Sequence, residues 1–221
     1  MPEGAFCVGC FELSLNTANE DASAEVLAKL LALAKDEDAE VRSLTAVALV
    51  RFAPDADAAD ALIGLAQDAD ALVRTQALDS LAAFSTEKVL ACLTAALARE
   101  TAVGLPYRYA LLTAAEVAVA LRQPERVLPV LLTQADSSAM ATRICAWYGL
   151  SLCGDAQAFD RLLGALAAED YHDRCLAVHL LEQLDMHKTQ VLRALRERLH
   201  CEAVSAVRTT IEAVLQAADE R

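Results

Sequence analysis

The chain has 221 residues, of which 32 are acidic and 19 basic, giving a formal charge of −13, and it is 56% hydrophobic with 23% charged residues. That apolar content excludes a disordered chain. The excess of acid argues against direct binding to a phosphate backbone, which needs clustered Lys and Arg.

Only seven glycines and five prolines interrupt a sequence rich in Ala and Leu, residues that lose little on entering a helix, so an all-α fold is predicted. Apolar stretches are broken by charged or amide residues well short of the roughly 18 residues of a membrane span. Met1-Pro2-Glu3-Gly4 carries no basic residue of the kind that opens a secretory signal, so a cytoplasmic location is expected. Seven scattered cysteines, Cys7, Cys10, Cys92, Cys145, Cys153, Cys175 and Cys201, suit a reducing compartment in which most act as small apolar core residues.

From the start of the chain, residues 1–23 read as a tail or capping segment that contains Cys7-Val8-Gly9-Cys10. One CxxC pair without a second closes no four-ligand metal site. The remainder, 24–221, divides into six units at about 24–53, 54–85, 86–122, 123–154, 155–184 and 185–221. Each unit reads as an amphipathic helix A, an acidic turn and a helix B. Six arginines, Arg42, Arg74, Arg108, Arg143, Arg174 and Arg208, recur every 31 to 35 residues near the start of each B helix. The third, sixth, seventh and tenth positions after each arginine are small or apolar and fall on one helical face, as with Ala177, Leu180, Leu181 and Leu184.

The runs DEDAEVRSLTAVAL (Asp36 to Leu49) and DADALVRTQALDSL (Asp68 to Leu81) resemble the HEAT repeat, including its bilin-lyase-like bacterial branch. The resemblance extends from about Ala24 to Ala218 and implies a right-handed α-solenoid of about six helical hairpins. It also implies that the six arginines form a structural ladder with acids of the turns or of neighbouring units. Asp38 with Arg42 and Asp70 with Arg74 have the i,i+4 order that favours a helical ion pair. Units three and four depart from the pattern, with Leu105-Pro106-Tyr107-Arg108 and Met140-Ala141-Thr142-Arg143 in place of Asp-x-x-Val-Arg. Reshaped turns are expected there.

If the core positions fix one face of each B helix, the positions one, five and eight after the arginine look the other way. In repeats of this kind the B helices line the concave surface, so the candidate partner-binding groove comprises Asp79, Tyr109, Thr113, Glu116, Trp147, Tyr148, Cys175, His179 and Glu182. Aromatic anchors ringed by acids suit a protein interface. The competing reading has Trp147 and the tyrosines filling space between B helices. His172, Cys175 and His179 follow at spacings that allow two of them to meet one zinc ion, but the aligned positions on neighbouring helices, Ile144, Tyr148, Thr209 and Ala213, add no ligand. No metal and no cofactor are therefore expected.

No GxSxG, Walker A, GxGxxG or HExxH motif is present, and no catalytic residue is assigned. The reading is a non-catalytic scaffold, adaptor or inhibitor that binds a protein, with a basic partner best matched to the acidic field, and no nucleic acid or membrane partner. A bilin-lyase-like tetrapyrrole-binding protein and an acidic immunity-type inhibitor of a toxin are the alternatives. A monomer is expected.

Overall fold

The structure, a computed structural model, describes residues 24–220. Among the described residues there are twelve α-helices and no strand: α1 Ala24–Leu33, α2 Ala39–Leu49, α3 Ala56–Leu65, α4 Ala71–Ser80, α5 Glu87–Arg99, α6 Leu105–Ala120, α7 Leu128–Gln134, α8 Met140–Leu152, α9 Ala156–Gly164, α10 Tyr171–Glu182, α11 Lys188–Cys201 and α12 Ser205–Asp219. None is long and apolar enough to cross a membrane.

Helix starts follow from capping chemistry. The side chains of Asp38, Asp55, Asp70, Asp155 and Asp170 each accept backbone N–H bonds at the first turn of α2, α3, α4, α9 and α10, satisfying donors that have no intrahelical partner. Asp38 and Asp70 are therefore engaged as caps. The i,i+4 pairs expected with Arg42 and Arg74 do not form, because both guanidinium groups are drawn elsewhere. In α6 the cap is Gly104, with Pro106 in the first turn, where a missing N–H costs nothing. Gly154 ends the α8 hairpin at φ +90°, a conformation that penalises a Cβ.

Consecutive helices pair as hairpins, and the hairpins stack into an α-solenoid. The even helices form a continuous inner row, α2 on α4, α4 on α6, α6 on α8, α8 on α10 and α10 on α12. The odd helices are packed unequally: α1 meets α3 and α3 meets α5, while α5, α7, α9 and α11 stand further apart. A stack that is closer on one side curves toward that side, which places the even helices on the concave surface. The core lies between the two rows and is built from residues such as Leu49, Leu62, Leu78, Leu93, Leu111, Leu131, Leu162 and Leu181, all essentially buried.

Close approach of the even helices depends on small side chains. At Gly149 on α8, an added Cβ would lie 2.6 Å from Cδ2 of Leu131 and 2.9 Å from Cβ of Ala115. Only hydrogen fits between α8 and its neighbours α6 and α7.

Candidate functional site

The repeated arginines form a ladder along the turn edge of the solenoid. Arg42 donates from Nη1 to the carbonyls of Asp36 and Glu37 in its own turn, at 2.8 and 3.0 Å, and from Nε and Nη2 to both carboxylate oxygens of Asp68 in the next hairpin, at 2.7 and 2.9 Å. Arg74 repeats this with Asp68 O, Ala69 O and the carboxylate of Glu100. Arg174 does so with Ala168 O, Glu169 O and Glu202. Each guanidinium thus closes its own turn and grips the following one, with the planar fork matched to a carboxylate.

Electrostatics follow from these contacts. Burial works against the charge of Glu202, but the hydrogen bond from Arg174, the backbone N–H of Val204 and Arg198 hold its carboxyl down at about 2. Asp68 is likewise lowered, chiefly by the Arg42 bond.

The ladder is interrupted in its middle. Arg143 keeps its turn carbonyl, Ser137 O at 2.7 Å, and meets Sδ of Met140, but it has no carboxylate partner. Arg208, in the last hairpin, bonds Leu199 O and Glu202 O and lies 3.6 Å from Glu212. Arg108 leaves the ladder altogether: among the described residues it makes no hydrogen bond or ion pair, and its Nε is buried without a partner. This corrects its expected ladder role. The cause is local, since the Gly104-Leu105-Pro106 start reshapes the turn and the carbonyl of Ala102, six residues before Arg108, is taken by the Thr142 hydroxyl at 3.0 Å.

On the concave side the predicted groove residues separate into two sets. Thr113 and Tyr148 are each 2% exposed, Trp147 9% and Cys175 7%, so these four belong to the contacts between even helices and do not line an open groove. The physical reason is close packing of the even helices over positions expected to look outward, with Gly149 setting the approach of α8 to α6 and Cys175 lying on α10, which packs on α8 and α12. The Trp147 indole N–H is buried without a partner. Asp79 and Glu182 are exposed, and Tyr109, Glu116 and His179 are half-buried. These five remain on the surface.

Tyr148 ties the middle of the concave row together. Its hydroxyl donates to Glu116 Oε1 on α6 at 2.9 Å, and its oxygen lies 3.0 Å from the side-chain amide of Gln183, the residue that caps the C-terminus of α10. Gln183 falls outside the stripe used to find candidate residues, and only the fold brings it to Tyr148.

Asp79 is exposed overall, yet desolvation by the surrounding protein pushes its carboxyl above the ordinary range. The Glu116 carboxyl is also raised, by burial first and by the nearby charge of Asp79, with the Tyr148 bond opposing. Neither carboxylate has an ion-pair partner among the described residues. The Tyr109 phenol is pushed well up by burial and then by Asp79, so the charge of Asp79 acts on both Tyr109 and Glu116. His179 has its imidazole pushed down by burial, against the pull of Glu182, and its Nε2 is buried and unbonded.

The zinc-like spacing on α10 does not gather its side chains. His172 is exposed, with Nδ1 2.9 Å from the Asp170 carboxylate, whereas Cys175 is buried. Among the described residues no group of three His, Cys, Asp or Glu side chains is arranged to hold a metal ion. Cys7 and Cys10 lie outside the described residues.

Residues 25–105 match the model of HEAT repeats, and that stretch of the chain is a run of such repeats. Among solved structures, the chain is similar to the complex of CpcE and CpcF of phycocyanin lyase from Nostoc sp. PCC7120, at 16% identity over 92% of this chain and 99% of that one, with a TM-score of 0.47. It is also similar to two engineered proteins, at 16% identity with a TM-score of 0.45 over 88% of this chain and 97% of that one, and at 18% with a TM-score of 0.40 over 88% and 99%. No curated protein matches the chain.

Proposed function

We propose that this protein is a non-catalytic interaction scaffold that binds a basic segment of a protein partner on its concave surface, with Asp79 and Glu116 receiving a Lys or Arg side chain. The observation that carries this reading is the pairing of two partially desolvated carboxylates, each without an internal cation, beside the phenol of Tyr109. A carboxylate stripped of water and left unpaired is unfavourable in the free protein. A guanidinium or ammonium placed between the two would reverse both shifts and add charge-assisted hydrogen bonds. Glu182 and His179 extend the surface toward the C-terminal hairpins.

Selection from a peptide library on the full chain should enrich Lys- or Arg-containing segments. Binding of an enriched peptide should weaken by about tenfold or more in Asp79→Asn with Glu116→Gln, as expected for loss of hydrogen bonds to charged groups. Unchanged affinity in that double variant would remove the two carboxylates from the site.

A further inference from the structure

We propose that the gap in the arginine ladder, at Arg108 and Arg143, is a binding site for a carboxylate supplied from outside the chain. In three other hairpins the arginine at this register grips both oxygens of a carboxylate, Asp68, Glu100 or Glu202. Arg108 and Arg143 sit at the same register on α6 and α8, two helices in direct contact, and neither has such a partner. The Nε of Arg108 is shut off from water with no acceptor, a state that an incoming anion would relieve.

No acid among the described residues fills the gap. Asp136 stands at the same distance along the sequence from Arg108 as Glu202 does from Arg174, yet it is exposed and forms no ion pair. Asp173 on α10 is an acid whose charge both arginines favour, and its carboxyl is nevertheless raised, by burial first and then by Asp170. It shares the field of Arg108 and Arg143 without reaching either in a salt bridge. Two guanidinium groups facing one uncontacted carboxylate leave an excess of positive charge on an otherwise acidic protein. Carboxylate is the class of ligand because the same side chain, in the same register, holds carboxylates elsewhere in this fold. The charge of Arg108 also reaches Tyr109 and Cys145, so the site borders the concave row and differs from the concave carboxylates in the sign of its ligand.

The test is NMR observation of arginine Nε–Hε signals in the full-length protein during titration with glutarate, with an acetylated tetraglutamate peptide and with inorganic phosphate, each at ionic strength matched by sodium chloride. The Arg108 signal should move saturably with glutarate or with the peptide, and binding should weaken about tenfold or more in Arg108→Gln and in Arg143→Gln. Equal response to both probes assigns the site to any carboxylate, and response to the peptide alone assigns it to one carried on a polypeptide. A response to phosphate alone, or none to any probe, would overturn the assignment. Thermal unfolding supplies a second check: Arg108→Gln should leave the midpoint unchanged while Arg174→Gln lowers it. Equal loss in both would show that Arg108 already has a partner and would also overturn the proposal.

Discussion

Arg174 and Glu202 meet through two parallel hydrogen bonds, Nε to Oε2 at 2.9 Å and Nη2 to Oε1 at 3.0 Å, with side chains only 8% and 1% exposed. The pair joins the fifth hairpin to the sixth. Glu202 also accepts from Arg198 and from the backbone N–H of Val204, so one carboxylate organises an entire turn. Glu202→Leu should destabilise the protein by about 3 kcal/mol or more, the cost of breaking a buried pair from one side. Asp136→Leu, at the matching position two hairpins earlier, should change stability by less than about 0.5 kcal/mol. Urea unfolding of both variants measures the contrast.

Acid sensitivity follows from the same residue. Glu202 has a folded-state value near 2 against an ordinary 4.5, so below the ordinary value the unfolded chain binds the additional proton first. The stabilisation from Glu202 is fully present above pH 4.5 and declines as pH falls toward 2. Asp68, also lowered, adds to the loss in the same direction. Replacing Glu202 by Gln should flatten the pH dependence of the unfolding midpoint across that window.

Asp79 has the opposite sign. Its carboxyl is raised in the folded state, so the native protein holds the proton to higher pH than the unfolded chain, and the ionised form opposes folding. Asp79→Asn should raise stability at pH 7 slightly, since solvent screening at this exposed position reduces the effect, and the gain should vanish once pH falls below the ordinary carboxylate range. Denaturant midpoints at neutral and acid pH test it. A residue that costs the free protein stability, on a surface facing outward, fits a role in binding.

Tyr148→Phe removes the hydroxyl shared by Glu116 and Gln183 while keeping the ring. A loss of about 1.5–3 kcal/mol is expected, as for hydrogen bonds to charged groups. Thermal unfolding of the variant checks this.

Gly149→Ala sets two effects against each other. Alanine favours a helix by about 1 kcal/mol, but its Cβ would press on Leu131 and on the rigid Ala115 Cβ. Net destabilisation of about 1–3 kcal/mol is expected from overpacking. Ala115→Gly in the same chain should recover part of it. Calorimetry of the single and double variants decides.

Much of this fold was legible because periodicity and register are local properties. The six arginines marked the six even helices, and the departures at Leu105–Arg108 and Met140–Arg143 marked where the turns change. The concave stripe was only partly legible. Asp79, Glu116 and Glu182 stayed at the surface as expected, while Thr113, Tyr148, Trp147 and Cys175 were lost to it. Whether an outward position is covered depends on how far apart successive hairpins stand, and that distance is set by residues such as Gly149, whose effect is felt across hairpins. Gln183 illustrates the same limit, since it acts through a partner 35 residues away.

The interrupted ladder also bears on how the chain responds to ionic strength. A solenoid behaves as a row of units coupled to nearest neighbours, and here the couplings are of two kinds. The first two junctions and the last are clamped by largely buried guanidinium–carboxylate forks, whereas the two flanking the fourth hairpin rely on apolar packing, the Thr142 hydroxyl, Tyr148 and the exposed Arg126–Glu87 pair. Salt screens exposed pairs far more than buried ones, so the forks keep most of their strength. Concentrated salt should therefore leave the forks closed and act mainly on exposed pairs such as Lys88–Asp60 and Arg126–Glu87.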